Sequence, residues 1–361
     1  MGLSIAWRGA RDGAAVTIVD PTPGRGASWA AAGMLAPVTE VRYNEEELLR
    51  LNLASHHMFP RFVAELESDA DLPVGYRACG MLLVARDNDD NAALADVLAF
   101  QQRLGLDARR LRGSEARALE PGLVSSIRGG IVVEGDHQID NRALVEALMA
   151  ACRGRGVAFE TRSVAGIERA GNAVSGIELG DGRSIATKAI VLAAGARTPE
   201  IRGVPALPIR PVKGQLLHLR SRDASPVLTR NVRGLDVYMV PRPDGRLVVG
   251  ATVEEQGFDE RVTAGAVHDL LNAAYELVPE IAELELVETA VGHRPGTPDN
   301  APLIGPLVHD GLLVATGHYR NGILLAPITA DIIVTLLSGS TASWDIERFA
   351  PARFVALENA S

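Results

Sequence analysis

At 361 residues, with 47% hydrophobic and 22% charged residues, the chain suits two intertwined soluble domains better than a single core. A net charge of −9 argues against nucleic acid or an anionic membrane as a partner. The longest apolar run, residues 322–337, is broken by Pro327, Thr329 and Asp331, so it reads as a buried helix and not a membrane span. Leu3 to Ala6 is too short for the apolar region of a signal peptide, and Ala6 stands where a myristoylation signal needs Ser or Thr. Cys79 and Cys152 lie far apart, which fits a reduced, cytoplasmic setting. None of the eight histidines has metal-ligand spacing, and no metal is expected.

From Gly2 the chain reads as a helix, a turn at Gly13, a strand from Val16 to Val19 and an acid, Asp20, at the strand end. This is the second half of a βαβ nucleotide unit. Gly2 stands where the third glycine of G-x-G-x-x-G belongs, and the preceding strand and first two glycines are absent. Two readings are open: a start placed about a dozen residues late, or loss of part of a cofactor site. Gly9 is expected to interrupt the first helix.

A Gly/Ala-rich loop follows to Pro37. Residues 44–68 have helical periodicity with acids at the start. Residues 80–85 and 130–133 read as strands, with helices over 92–104 and 114–119 between them. Asp140 caps a helix that runs to about Arg153, and a strand follows over 157–160. Three short strands come next, with turns at Gly171-Asn172 and Asp181-Gly182. The apolar run 189–194 predicts a parallel strand buried on both faces. Strands are expected at 215–219, 237–240, 247–250, 286–292 and 312–315, with helices at 264–277 and after Gly322. Nucleotide-type pieces thus fall at 1–37, 138–198 and 286–350, interrupted by 38–137 and 199–285. The fold class is α/β with α+β: a Rossmann-like domain interleaved with a mixed-sheet second domain.

Five segments carry chemistry. Asp20 can accept from an adenosine ribose or simply form a turn before Pro21. Residues 24–37 are small enough for a flat ring or phosphate to approach the backbone, and equally suit a flexible loop. In residues 237–252, Tyr238 and Val240 share a face, and Tyr238 offers a hydroxyl to a ligand or sits at a core edge. Arg294, between a strand and Pro295, can fork onto a carboxylate or face solvent. Residues 317–327 open a helix whose N–H groups suit an electron-rich atom, with Arg320 a second carboxylate contact.

Taken in order, ASWAAAGMLAP, PVKGQ, VPRPDGRLVVGAT, RPGTPDNAPLIG and GHYRNGILLAP cover nearly the whole chain, and it resembles the D-amino-acid oxidase superfamily of FAD-dependent enzymes, nearest the glycine oxidases of thiamine biosynthesis. The resemblance implies non-covalent FAD, with neither cysteine in a flavin-facing segment. It places Asp20 and Pro21 at the adenosine, and Ala27, Ser28, Ala32, Gly33 and Met34 along the pyrophosphate and flavin. Val164 falls at the adenine side, and His318, Tyr319, Arg320, Asn321, Gly322, Ile323 and Leu324 around the isoalloxazine. Arg294 matches the family's carboxylate-binding arginine, Tyr238 a substrate-contacting tyrosine and Arg320 a second substrate-side arginine. His293 departs from the apolar residue expected before Arg-Pro-Gly.

The implied activity is oxidation of glycine, or of another small amine or D-amino acid, to an imine, then glyoxylate, ammonia and hydrogen peroxide, with no dedicated catalytic base. Oxygen and a small amino acid are the implied partners, together with thiazole-synthesis machinery and a second copy of the chain. Two alternatives are a sarcosine or D-amino-acid oxidase or dehydrogenase of the same superfamily, and a flavin-free truncated pseudoenzyme.

Overall fold

The computed structural model describes residues 1–342 and 344–354. Helix α1 (Gly2–Arg11) turns at Gly13 into β1 (Thr17–Val19), followed by α2 (Ala27–Ala30) and β2 (Met34–Leu35). Next come α3 (Glu46–Ala70), β3 (Met81–Ala85), α4 (Asn88–Arg103), β4 (Arg109–Arg112), α5 (Gly113–Leu119), β5 (Gly129–Val133) and β6 (His137–Gln138). Helix α6 (Asn141–Gly154) leads to β7 (Ala158–Glu160), β8 (Val164–Ala170), β9 (Ala173–Leu179), β10 (Ser184–Ala186) and β11 (Ile190–Leu192). The remainder is β12 (Arg210–Arg220), β13 (Asn231–Arg233), β14 (Tyr238–Pro241), β15 (Arg246–Gly250), α7 (Ala264–Tyr275), β16 (Glu285–Gly296), β17 (Leu303–Pro306), β18 (Leu312–Thr316) and α8 (Ala326–Leu337).

Strands β1 and β7, β11 and β18, and β13 and β3 pair in parallel, and β17 extends the β11–β18 pair antiparallel. Strands β8 to β10 form a separate meander. An eight-stranded sheet, β16-β12-β15-β14-β13-β3-β5-β4, collects its strands from residues 81–133 and 210–296. Its outer strand β16 comes from the stretch that the sequence assigns to the nucleotide-type pieces.

Helix α1 runs unbroken through Gly9, because its other face is anchored. Trp7 is fully buried against Phe62, and its indole N–H donates to Asp69. That burial outweighs the glycine cost of about 1 kcal/mol. The segment after Gly24 is not wholly a loop, since α2 forms one helical turn there. Strand β11 is not buried on both faces: Ile190 and Val191 are half-buried because β11 ends its sheet. The helix after Gly322 starts only at Ala326, after a 3₁₀ turn over Tyr319–Asn321. Helix α7 stops at Tyr275, short of Leu277.

Four histidines sit with depressed pKa, His137 among them through its burial. Burial pushes His318 down to about 3. Burial, then the neighbouring His137 and His57, holds His56 at about 4, and burial with the Arg142 cation does the same for His218. Their folded values lie below the ordinary value near 6.5, so the unfolded chain takes up protons first. Their stabilisation is complete above about pH 6.5 and is lost as pH falls through this window. Urea unfolding between pH 7 and pH 4.5 should show falling stability, with a shallower slope in His218→Gln; an unchanged slope refutes the assignment to His218.

Candidate active site

One face of the large sheet gathers the residues singled out from the sequence. Strand β12 pairs β16 so that Val212 faces Arg294 and Gly214 faces Gly292. On the other side β15 pairs β14, with Gly250 opposite Tyr238. Side chains two residues apart share a face, so Arg294 reaches over Gly214 and Tyr238 over Gly250. A Cβ on Gly214 would stand 2.4 Å from the Arg294 guanidinium, and one on Gly250 would stand 2.5 Å from the Tyr238 hydroxyl. The two glycines are there because larger residues would displace both functional side chains. Tyr238 and Val240 do share a face, in an apolar cluster with Ala32, Leu216 and Val248.

Arg294 Nη1 donates to the Thr252 carbonyl at 3.1 Å. Among the described residues it has no carboxylate partner. Its remaining N–H donors form a fork suited to a planar anion. The Tyr238 hydroxyl lies beside it, and burial raises the phenol pKa against the opposing pull of the Arg294 and Arg233 cations. Tyr238 is thus a neutral donor at neutral pH.

Arg320 is placed differently from a free carboxylate fork. Its Nη2 donates to Glu45 at 2.7 Å, and its Nε lies 3.4 Å from Glu40. Glu40 also pairs with Arg233, and Asn300 donates to Glu45 at 3.0 Å. Arg320 therefore belongs to a charged wall adjoining Tyr238, and its Nη1 remains buried without a partner. Arg233 and Glu40 were not legible as site residues, because nothing local marks them; only the β13–β14 pairing of Arg233 with Tyr238 brings them in.

The small-residue segment lies against this same face. Helix α2 packs on β16, with Ala30 close to Gly292. Asn141 Nδ2 donates to the Ser28 and Trp29 carbonyls at 2.9 Å, and the buried Arg242 donates to the Ala32 carbonyl at 2.8 Å. Gly33 is tied to Ile139 through a 2.8 Å backbone bond. Ala27, Ser28 and Met34 stay partly exposed, and a Cβ on Gly26 would meet nothing within 4 Å. That open, small-residued strip fits a flat ring and its phosphates.

Other expected contacts divide. The Asp20 carboxylate accepts from Thr22 N–H, so the turn reading holds for one oxygen. The Asp20 N–H donates to Glu160, four residues before Val164 at the start of β8. Pro21 follows in the same exposed turn. His318 points inward to Thr329 at 3.1 Å, and Ile323 and Leu324 pack into the core with Trp7. Tyr319 and Arg320 remain partly exposed, and around Gly322 only the His318 side chain approaches within 4 Å of a built Cβ. In this segment Gly322 leaves room beside His318 while the apolar side chains serve the core.

The family of FAD dependent oxidoreductases (DAO) matches residues 1–336, and the chain belongs to it. It is 32% identical to a glycine oxidase of Pseudomonas aeruginosa, over 98% of this chain and 96% of that protein. The fold superimposes on the crystal structure of glycine oxidase from Geobacillus kaustophilus with a TM-score of 0.90 at 32% identity, covering 97% of this chain and 95% of that one. The bifunctional protein ThiO/ThiG of Synechocystis sp. is 36% identical over 95% of this chain, which spans about half, 51%, of that longer relative. Among the described residues no helix is long and apolar enough to cross a membrane.

Proposed function

We propose that the chain oxidises glycine, and related small amines or D-amino acids, at the face carrying Arg294 and Tyr238. The observation behind this is Arg294 itself, a half-buried guanidinium with no carboxylate partner among the described residues, held over a glycine next to a neutral phenol. The substrate carboxylate takes the free edge of Arg294 and accepts from Tyr238. This leaves the α-carbon directed toward the strip of Ala27, Ser28, Ala32, Gly33 and Met34. FAD held along that strip would supply the oxidising chemistry, as acceptor of a hydride from the α-carbon with oxygen as the final electron acceptor, giving hydrogen peroxide. The residues contribute position and electrostatics, and no side chain acts as a dedicated base. The imine hydrolyses to glyoxylate and ammonia, or passes to thiazole assembly, a route supported by the ThiO/ThiG relatives.

On this reading, residues 1–37, 138–198 and 286–350 hold the cofactor, and 38–137 and 199–285 complete the substrate side. Asp20, Pro21 and Val164 lie toward the adenosine, and residues 318–324 present backbone to the ring.

The test is an absorbance spectrum of the purified protein before and after anaerobic glycine. Flavin bands that bleach support the assignment, and flavin that stays oxidised with glycine but bleaches with sarcosine or D-alanine moves the activity to those amines. A protein that neither carries nor takes up FAD defeats the proposal. In a working enzyme, Tyr238→Phe should raise the glycine KM about tenfold, the effect of losing one hydrogen bond to a charged group, and leave the flavin spectrum unchanged.

A further inference from the structure

With no carboxylate partner among the described residues, Arg294 takes its position from backbone carbonyls: Thr252 at 3.1 Å and Lys213 at 3.5 Å. Thr252 opens a strap, residues 252–263, that continues the line of β15 beside β12. Lys213 and Glu254 exchange backbone bonds of 2.9 and 3.0 Å there. The strap is then clamped by side chains from the opposite face of β12. Gln215 Nε2 donates to Glu254 at 2.8 Å, and its Oε1 accepts from Thr263 N–H at 2.9 Å. Lys213 is completely buried, and its ammonium donates to Asp259 at 2.8 Å and to the Arg261 carbonyl at 2.7 Å. A buried ammonium is tolerated only while its donors are satisfied, so the strap cannot lift without stranding a charge.

We infer that Lys213 is a positioning residue of the carboxylate site: through the 252–263 strap it fixes the Thr252 carbonyl on which Arg294 rests, and so sets the affinity for the substrate carboxylate. This rests on the role proposed for Arg294. The pleat explains the division of labour within Pro211–Gln215, where Gly214 clears room for the guanidinium on one face while Lys213 and Gln215 grip the strap on the other.

The experiment uses FAD-loaded Lys213→Met and Asp259→Asn, each alone and combined with Arg294→Ala. Steady-state kinetics, the calorimetric Kd of acetate and the melting temperature are measured for each. Both single variants should raise the glycine KM and the acetate Kd about tenfold with kcat held within about twofold, the pattern of weakened ground-state binding. In the Arg294→Ala background the same substitutions should change neither constant, because the group they position is gone. A lowered melting temperature with KM and Kd unchanged overturns the inference, as does an undiminished effect without Arg294. If Lys213→Met does not fold, Asp259→Asn carries the test alone. Should Arg294→Ala itself leave the glycine KM unchanged, the reading of Arg294 fails, and this is distinguishable from failure of Lys213 alone.

Discussion

Arg294→Ala is expected to raise the glycine KM by about 100-fold, equivalent to about 2.7 kcal/mol, while FAD stays bound. The size follows from the group removed. A charge-assisted fork onto a carboxylate is roughly twice as strong as a neutral hydrogen bond, and no second cation can take its place. Arg320 is engaged by Glu40 and Glu45, and Arg233 by Glu40. Lysine at 294 should recover only part of the loss, since an ammonium supplies charge without the planar fork. The flavin spectrum and melting temperature should barely change, because Arg294 makes no ion pair among the described residues. Unchanged glycine kinetics in Arg294→Ala would remove the carboxylate role.

Gly33→Ala should cost about 2–4 kcal/mol of stability and strip the flavin. Gly33 has φ +80°, where side chains are disfavoured, and an added Cβ would sit 2.0 Å from the Ile139 carbonyl. That contact is with backbone, so no rotamer change relieves it. The segment must move, losing the Gly33 O to Ile139 N–H bond and the Arg242 grip on Ala32. Denaturant unfolding of the apoprotein gives the stability change, and fluorescence of released FAD gives the binding change. A variant with normal stability and normal FAD affinity would mean that the strip is pliable and not a fitted cradle.

Most elements of the fold were legible from local pattern, and the reasons are specific. Asp140 does cap α6, accepting from Arg142 and Ala143 N–H. The turns at Gly171 and Gly182 do have positive φ and close the β8 to β10 meander. What was not legible depends on partners distant in sequence. The half-burial of β11 follows from its edge position, which no local pattern encodes. Arg320 reads as a free cation until Glu40 and Glu45 are brought beside it from the approach to α3. The inward turn of His318 to Thr329 is equally invisible before α8 is in place. By contrast, Gly214 and Gly250 carried a usable signal: glycine inside a strand pattern marks a close approach.

The pairing of β3 with β13, beside the pairing of β12 with β16, also bears on how the protein is made. A ribosome adding about 5–20 residues per second releases β3 on the order of 10–40 s before β16. During that interval the nascent chain holds an unpaired β3 edge and no Arg294, so the carboxylate site stays incomplete until β16 is made. The binding face is therefore among the last parts to become native, and unpaired strands wait exposed until it closes. Chaperone supply should improve soluble yield more than strengthening any single helix would.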